Sequence, residues 1–347
     1  MVDAGAPARR VNPWVILRWT AFVAYFVVFV WFMGRSGIPF DRERLLVWIV
    51  GGLAVVSIGR PWRTLPRMVL DWSIFILGVT LYDFARGAAR FVDAPIQVTP
   101  QADIDKIFGL GQVPTVWLQE HFLHAQPRWW DAAASIIYAT HFILPFVVAG
   151  ILWAKDRAEW RWFASRFLVL CFLGCVTYAL IPTAPPWYAS QIGEIGHVVR
   201  STGRGWQIIH VHAAATLIHK GQLVGNAYAA IPSLHAAWAA LCATAVWRRV
   251  RNPARWLVYA YPAAMALTLV YTGEHYFIDA VAGWIYLALI CVAMPRIERA
   301  WRRWRDRDAE PESGLPSSAD AVMAASIRDL PAADAPGRHE PDAQPAT

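Results

Sequence analysis

The sequence predicts an all-α fold, a polytopic integral membrane bundle of about eight transmembrane helices. Two features of composition and one of pattern lead there. Hydrophobic residues make up 57% of the chain and charged residues only 16%, well away from globular usage. The apolar residues are gathered into blocks, several of them near the ~20 residues that a bilayer core requires. Arginines concentrate in the short stretches between blocks, where they set topology. The net charge of +7 therefore implies no nucleic-acid partner.

Taken in order, residues 1–13 are polar and carry Arg9 and Arg10. The first span covers about 14–33, too long an apolar block for a cleavable signal peptide and without a small-residue cleavage site. A second, glycine-containing span ends near Ile58, and the Arg60-Pro61-Trp62-Arg63 turn leads to a third over about 68–82. Asp83, Arg86 and Arg90 follow at near-helical spacing, and a Pro/Gln/Asp-rich loop comes next. The amphipathic piece 116–124, with Trp129 and Trp130, predicts a helix lying in the membrane interface. The fourth span covers about 131–153 and holds His141; a basic loop, 155–166, precedes a fifth ending at Ile181-Pro182. The polar loop that reaches Asn226 is long enough to be functional rather than a mere connection. The sixth span covers about 228–247, the seventh ends near Tyr271 and the eighth covers about 275–294. Arg296, Arg299, Arg302, Arg303 and Arg305 follow, then an Ala/Pro/Asp/Glu-rich tail with no apolar period, expected to be disordered. The domain reading is a cytoplasmic segment 1–13, a membrane-embedded catalytic domain 14–304 and a disordered cytoplasmic tail 305–347.

With eight spans, the basic N-terminus, the 60–67 turn, the 154–166 loop, the 248–255 turn and the segment after 294 all fall on one side. The positive-inside rule makes that side the cytoplasm. The reactive residues collect on the other. The expectation is a multi-pass plasma-membrane protein whose active site faces away from the cytoplasm. Cys171, Cys175, Cys242 and Cys291 lie inside apolar segments without metal-ligand spacing and read as inert buried thiols.

Two stretches carry the chemistry, each opening an apolar segment: Ile231-Pro232-Ser233-Leu234-His235 and Gly273-Glu274-His275-Tyr276-Phe277-Ile278-Asp279. On a helix, His275 and Asp279 share one face, so the carboxylate can accept the ring N–H and fix the tautomer. Both segments begin at the outer face. Their N-terminal amides and partial positive charge form a natural seat for a phosphate. Pro232 fits a first helical turn, and Ser233 places a hydroxyl beside the backbone donors. A phosphoryl transition state needs its equatorial oxygens neutralised, a nucleophile in line and a proton for the leaving oxygen. His275 can attack phosphorus and His235 can protonate the leaving group.

Pro232-Ser233-Leu234-His235 followed by His275-Tyr276-Phe277-Ile278-Asp279 resembles the second and third signature motifs of the type 2 phosphatidic acid phosphatase superfamily. Leu234, the Tyr271-Thr272-Gly273-Glu274-His275-Tyr276 run and Pro182-Thr183-Ala184-Pro185-Pro186-Trp187 look like its inositol phosphorylceramide synthase-like branch. The resemblance covers roughly residues 80–280. It implies a six-helix catalytic core, His275 as nucleophile, Asp279 as its orienter, His235 as general acid and Ser233 as phosphate ligand. It also implies a lipid phosphate substrate; the phosphohistidine mechanism requires no metal, the sequence shows no ligand cluster for one, and no cofactor is expected. Water as second acceptor makes the protein a phosphatase; a polyol or sugar makes it a phosphotransferase.

Two departures stand out. Thr268-Leu269 occupies the place of a Ser-Arg pair, and the region before Pro182 lacks the first motif's lysine and arginine. Arg86 and Arg90 are the first candidates to replace them, then Lys220, Arg200 and Arg204; lipid-headgroup anchoring is the competing role for the first two. His141 is either a hydrogen-bonding partner between helices or, with Tyr276, part of a substrate pocket. Glu274 reads as solvated, and His121 and His124 as interfacial. Two rivals belong to other classes. A lipid transporter calls for paired broken helices, and an intramembrane protease needs Ser233 as nucleophile.

Overall fold

The chain was analysed as a computed structural model that describes residues 12–36, 42–92, 94–210 and 226–308. Among them the architecture is all-helical: α1 (Pro13–Ser36), α2 (Arg42–Val56), α3 (Thr64–Ala88), α4 (Thr99–Phe108), α5 (Pro114–Phe122), α6 (Trp129–Lys155), α7 (Arg157–Leu180), α8 (Pro186–Gln191), α9 (Leu234–Arg249), α10 (Ala260–Tyr271) and α11 (Phe277–Asp308). Five of these, α1, α3, α6, α7 and α11, are long and apolar enough to cross a membrane. The chain is therefore a multi-pass membrane protein. It divides into one unit ending at Val292, which holds the site described below, and a second beginning at Ala293.

Three stretches differ from the sequence reading. α3 runs to Ala88, so Asp83 and Arg86 belong to its last turns instead of following it. The supposed basic loop 155–166 is helical from Arg157, because Asp156 caps α7 by accepting from the Ala158 and Glu159 amides. Inside the Pro/Gln/Asp-rich stretch lies α4, opened by Thr99-Pro100 and closed at Gly109.

Between apolar helices in lipid, close packing and buried polar bonds replace the hydrophobic drive. α3, α6, α7 and α9 meet in an aromatic core. Phe75 packs against Phe146, Trp160 and Phe167, and the Phe167 ring stacks on Trp238 with centroids 4.4 Å apart. Asp71, buried on α3, accepts from Trp153 and from both prongs of Arg157, at 3.0, 2.6 and 2.7 Å, tying α3 to α6 and α7. Gly283 lets α11 lie directly on the start of α9: a Cβ there would stand 2.4 Å from the Ser233 carbonyl oxygen. The Ser233 amide donates to the Asp279 carbonyl across the same contact, at 2.9 Å.

Candidate active site

α9 begins where Ser233 stops the extended chain. Its hydroxyl accepts from the Ala236 amide at 3.4 Å, and the Tyr178 hydroxyl donates to the Pro232 carbonyl at 2.8 Å. His235 is thus held in the first turn of α9. α11 begins at Phe277, two residues later than the sequence reading placed it, so His275 sits in the turn that precedes the helix. The one-turn pairing survives. His275 Nδ1 lies 3.4 Å from Asp279 Oδ2, and the same oxygen accepts from the Tyr276 amide at 3.0 Å. The other ring nitrogen of His275, Nε2, lies 3.3 Å from His235 Nδ1. Asp279, two histidines and two helix starts therefore form one continuous chain. Its inner part is buried: Asp279 is fully enclosed and His275 is 5% exposed, while His235 is half-buried at the other end.

The histidines open onto a cavity of about 970 Å³, lined also by Arg42, Asp83, Arg86, Trp187, Arg200 and Glu274, with Tyr82, Phe84, Phe91 and Phe142 on its apolar side. Arg86 reaches it from α3, and its buried Nε has no hydrogen-bond partner. Arg200 makes a two-pronged ion pair with Glu274, at 2.7 and 2.8 Å, and lies over the Trp187 ring. Glu274 is consequently buried, not solvated. Arg42 contributes a cation that the sequence reading missed. It is paired with Asp83, and its guanidinium lies over both the Tyr82 and Trp238 rings. The signal for it was an arginine at the very start of the second apolar segment.

Other residues fall elsewhere. The Arg204 guanidinium donates to the His124 and Ala125 carbonyls beside Asp131, outside the cavity. Tyr276 is fully enclosed among Ala102, Val113, Val116 and Val198 and does not line the cavity. His141 stacks on Trp238 in near-parallel planes with centroids 4.7 Å apart, its centroid 3.9 Å from that of His235 and its Nδ1 without a partner. It supports His235 from behind. Lys220 and the side chain of Arg90 lie outside the described residues.

One more buried carboxylate touches this region. Asp105, on α4, accepts from the Phe277 and Ile278 amides at 2.7 and 2.9 Å, completing the first turn of α11. Burial pushes its carboxyl up to about 6; the two N–H bonds oppose that rise and the Asp279 charge adds to it.

Residues 105–293, more than half of the chain, match the sequence profile of the PAP2 superfamily. The chain belongs to the PAP2 superfamily. It is an enzyme of the lipid phosphatase and phosphotransferase class. It is 30% identical over 258 residues to a phosphoinositol dihydroceramide synthase of Bacteroides thetaiotaomicron, covering 67% of this chain and 80% of that one. It is also 30% identical over 169 residues to the inositol phosphorylceramide synthase catalytic subunit aur1 of Schizosaccharomyces pombe, covering 46% of this chain but only 39% of that longer protein. No solved structure matches the chain. The superfamily profile begins after α1, α2 and α3, so Arg42 and Arg86 come from outside the stretch it matches.

Proposed function

We propose that this enzyme transfers a phospho-polyol head group between lipids through a phosphohistidine on His275. The observation that carries the reading is the bonding of the His275 ring. Asp279 takes Nδ1–H, which leaves the lone pair on Nε2, and Nε2 faces His235. In the first half-reaction Nε2 attacks phosphorus, the bond from phosphorus to the donor lipid's oxygen breaks, and His235 gives that oxygen a proton. In the second, the acceptor hydroxyl attacks phosphorus, His235 takes its proton back, and the bond to Nε2 breaks. Asp279 stabilises the imidazolium at each stage.

Arg86, Arg42 and Arg200 take the role that the missing motif cations play elsewhere in the superfamily, since all three line the cavity beside the histidines. Ser233 is fully buried and does not line the cavity, so its part in the site is to cap α9 and hold His235 in place. Phe84 and Phe91, each 76% exposed at the cavity's edge, offer a lipid chain an apolar way in. The relatives favour a phosphoinositol-type head group and a ceramide-like alcohol as the acceptor. With water as acceptor the same steps give a lipid phosphatase.

The surrounding frame is a membrane-embedded domain, 14–304, of eight spans. α2, α9 and α10 make the three short ones, and the last six spans build the catalytic core. Arginine placement supports a plasma-membrane enzyme with this cavity on the extracytoplasmic side. The test is to offer the purified protein phosphoinositol lipids, phosphatidic acid and polyprenyl diphosphate, each with and without a ceramide, a free polyol or a sugar. Both free phosphate and new phospholipid are measured. The expected result is a new phospholipid that depends on the ceramide, and phosphate on the protein that is acid-labile and lost in His275→Ala. Failure to form either product from any donor would refute the proposal.

A further inference from the structure

α4 and α5 are too short to span a bilayer, at 10 and 9 residues, and neither lines the cavity. Yet each sends one buried polar side chain to the segment that carries His275. Asp105 takes the Phe277 and Ile278 amides from the C-terminal side of the histidine. Gln119, on α5, works from the other side. Its Nε2 donates to the Tyr271 carbonyl at 2.8 Å and to the Val199 carbonyl at 2.9 Å, while its Oε1 accepts from the Val199 amide at 2.9 Å.

Between those two grips, backbone bonds add to the Glu274–Arg200 ion pair in holding the turn. The Ser201 amide donates to the Thr272 carbonyl, and the Trp187 amide to the Gly273 carbonyl. Gly273 adopts a φ of 76°, and a Cβ there would press on Val198 and stand 3.1 Å from the Val199 carbonyl oxygen. The first turn of a helix leaves several amides without partners, and the usual remedy is a local cap. Here Asp279 serves one of them and a carboxylate 172 positions away in sequence serves the next two. Such an arrangement fixes the axis and rotation of α11 against α4 at the point where His275 must be aimed.

We propose that Asp105 and Gln119 are positioning residues for His275, clamping residues 271–278 from both flanks so that Nε2 stays in line with phosphorus and His235. This rests on the reading of His275 as the nucleophile. The pair touches no substrate, so its loss should act on the chemical step and leave binding alone. Misplacement by about 1 Å at a reacting atom costs on the order of a hundredfold in rate.

The experiment uses the full chain in detergent micelles with a phosphoinositol lipid as donor and a ceramide as acceptor. In Asp105→Ala and in Gln119→Leu, kcat should fall on the order of a hundredfold, with KM within about twofold of wild type. The single-turnover rate of protein phosphorylation should fall by the same factor. Asp105→Asn keeps one acceptor oxygen and should recover roughly tenfold of that loss. Gln119→Glu keeps the acceptor and loses the donors, and should likewise fall between wild type and Gln119→Leu. These milder variants carry the test if the harsher ones do not fold. A loss confined to KM, a loss equal to the fall in folded protein, or no recovery in the milder variants would overturn the proposal. His275→Ala separates the two levels. If it retains turnover, the nucleophile reading fails; if it is dead while Asp105→Ala works normally, only the clamp fails.

Discussion

Gly283→Ala is the sharpest perturbation of this site, because the added methyl meets backbone. The new Cβ would lie 2.4 Å from the Ser233 carbonyl oxygen and 3.4 Å from the Ala237 Cβ. An ordinary carbon–oxygen contact is about 3.3 Å, so α11 has to retreat from α9 by roughly 1 Å. That retreat strains the Ser233–Asp279 backbone bond of 2.9 Å and opens the His275–His235 distance of 3.3 Å by a similar amount. Overpacking of this kind costs about 1–3 kcal/mol of stability, and a reacting group displaced by ~1 Å loses on the order of a hundredfold in rate. The assay is kcat for head-group transfer in detergent, with thermal unfolding of the same samples. Gly150→Ala is the control: its Cβ would press only on the Ile49 side chain, at 3.0 Å, a neighbour that can move. The reasoning is refuted if folded Gly283→Ala turns over within twofold of wild type, or if Gly150→Ala is as slow.

The remaining predictions probe the charges. Arg86→Ala should abolish turnover while the protein still folds, as read from initial rates on gel-filtered material; wild-type rates would remove Arg86 from the site. Glu274→Gln removes a negative charge from the cavity and releases Arg200 from its two-pronged partner, so KM for the anionic donor should fall severalfold, whereas Arg200→Ala should raise it roughly tenfold. Asp105 titrates near 3.8 as a free side chain and at about 6 in the fold, so the folded state holds its proton more tightly. Its contribution to stability is complete below about pH 4 and lost as the pH rises through 6. A shift of that size is worth about 3 kcal/mol. Relative to Asp105→Asn, which does not titrate, wild-type Tm should therefore gain as the pH falls from 7 to 4.5.

The histidines were legible because helix starts carry strong local signals. Pro232 and Ser233 announce α9, and the i,i+4 spacing of His275 and Asp279 survives even though α11 begins two residues later than expected. α4 was not legible. Ten residues with three charges among Gln, Thr and Pro look like a loop until tertiary bonds make them a helix. Asp105 gives no local hint of its role, since the amides it serves lie on the far side of the chain. Glu274 looked solvated for the same reason: Arg200, 74 positions earlier, is what lets it be buried.

The cavity is close to electroneutral. Among its described lining residues, Arg42, Arg86 and Arg200 stand against Glu43, Asp83 and Glu274, so formal charges cancel. A guest with a single negative charge leaves one charge uncompensated in the cavity, and a doubly charged guest leaves two. On the head-group-transfer reading proposed above, that balance would favour a phosphodiester over a terminal phosphate before any contact with the head group is made.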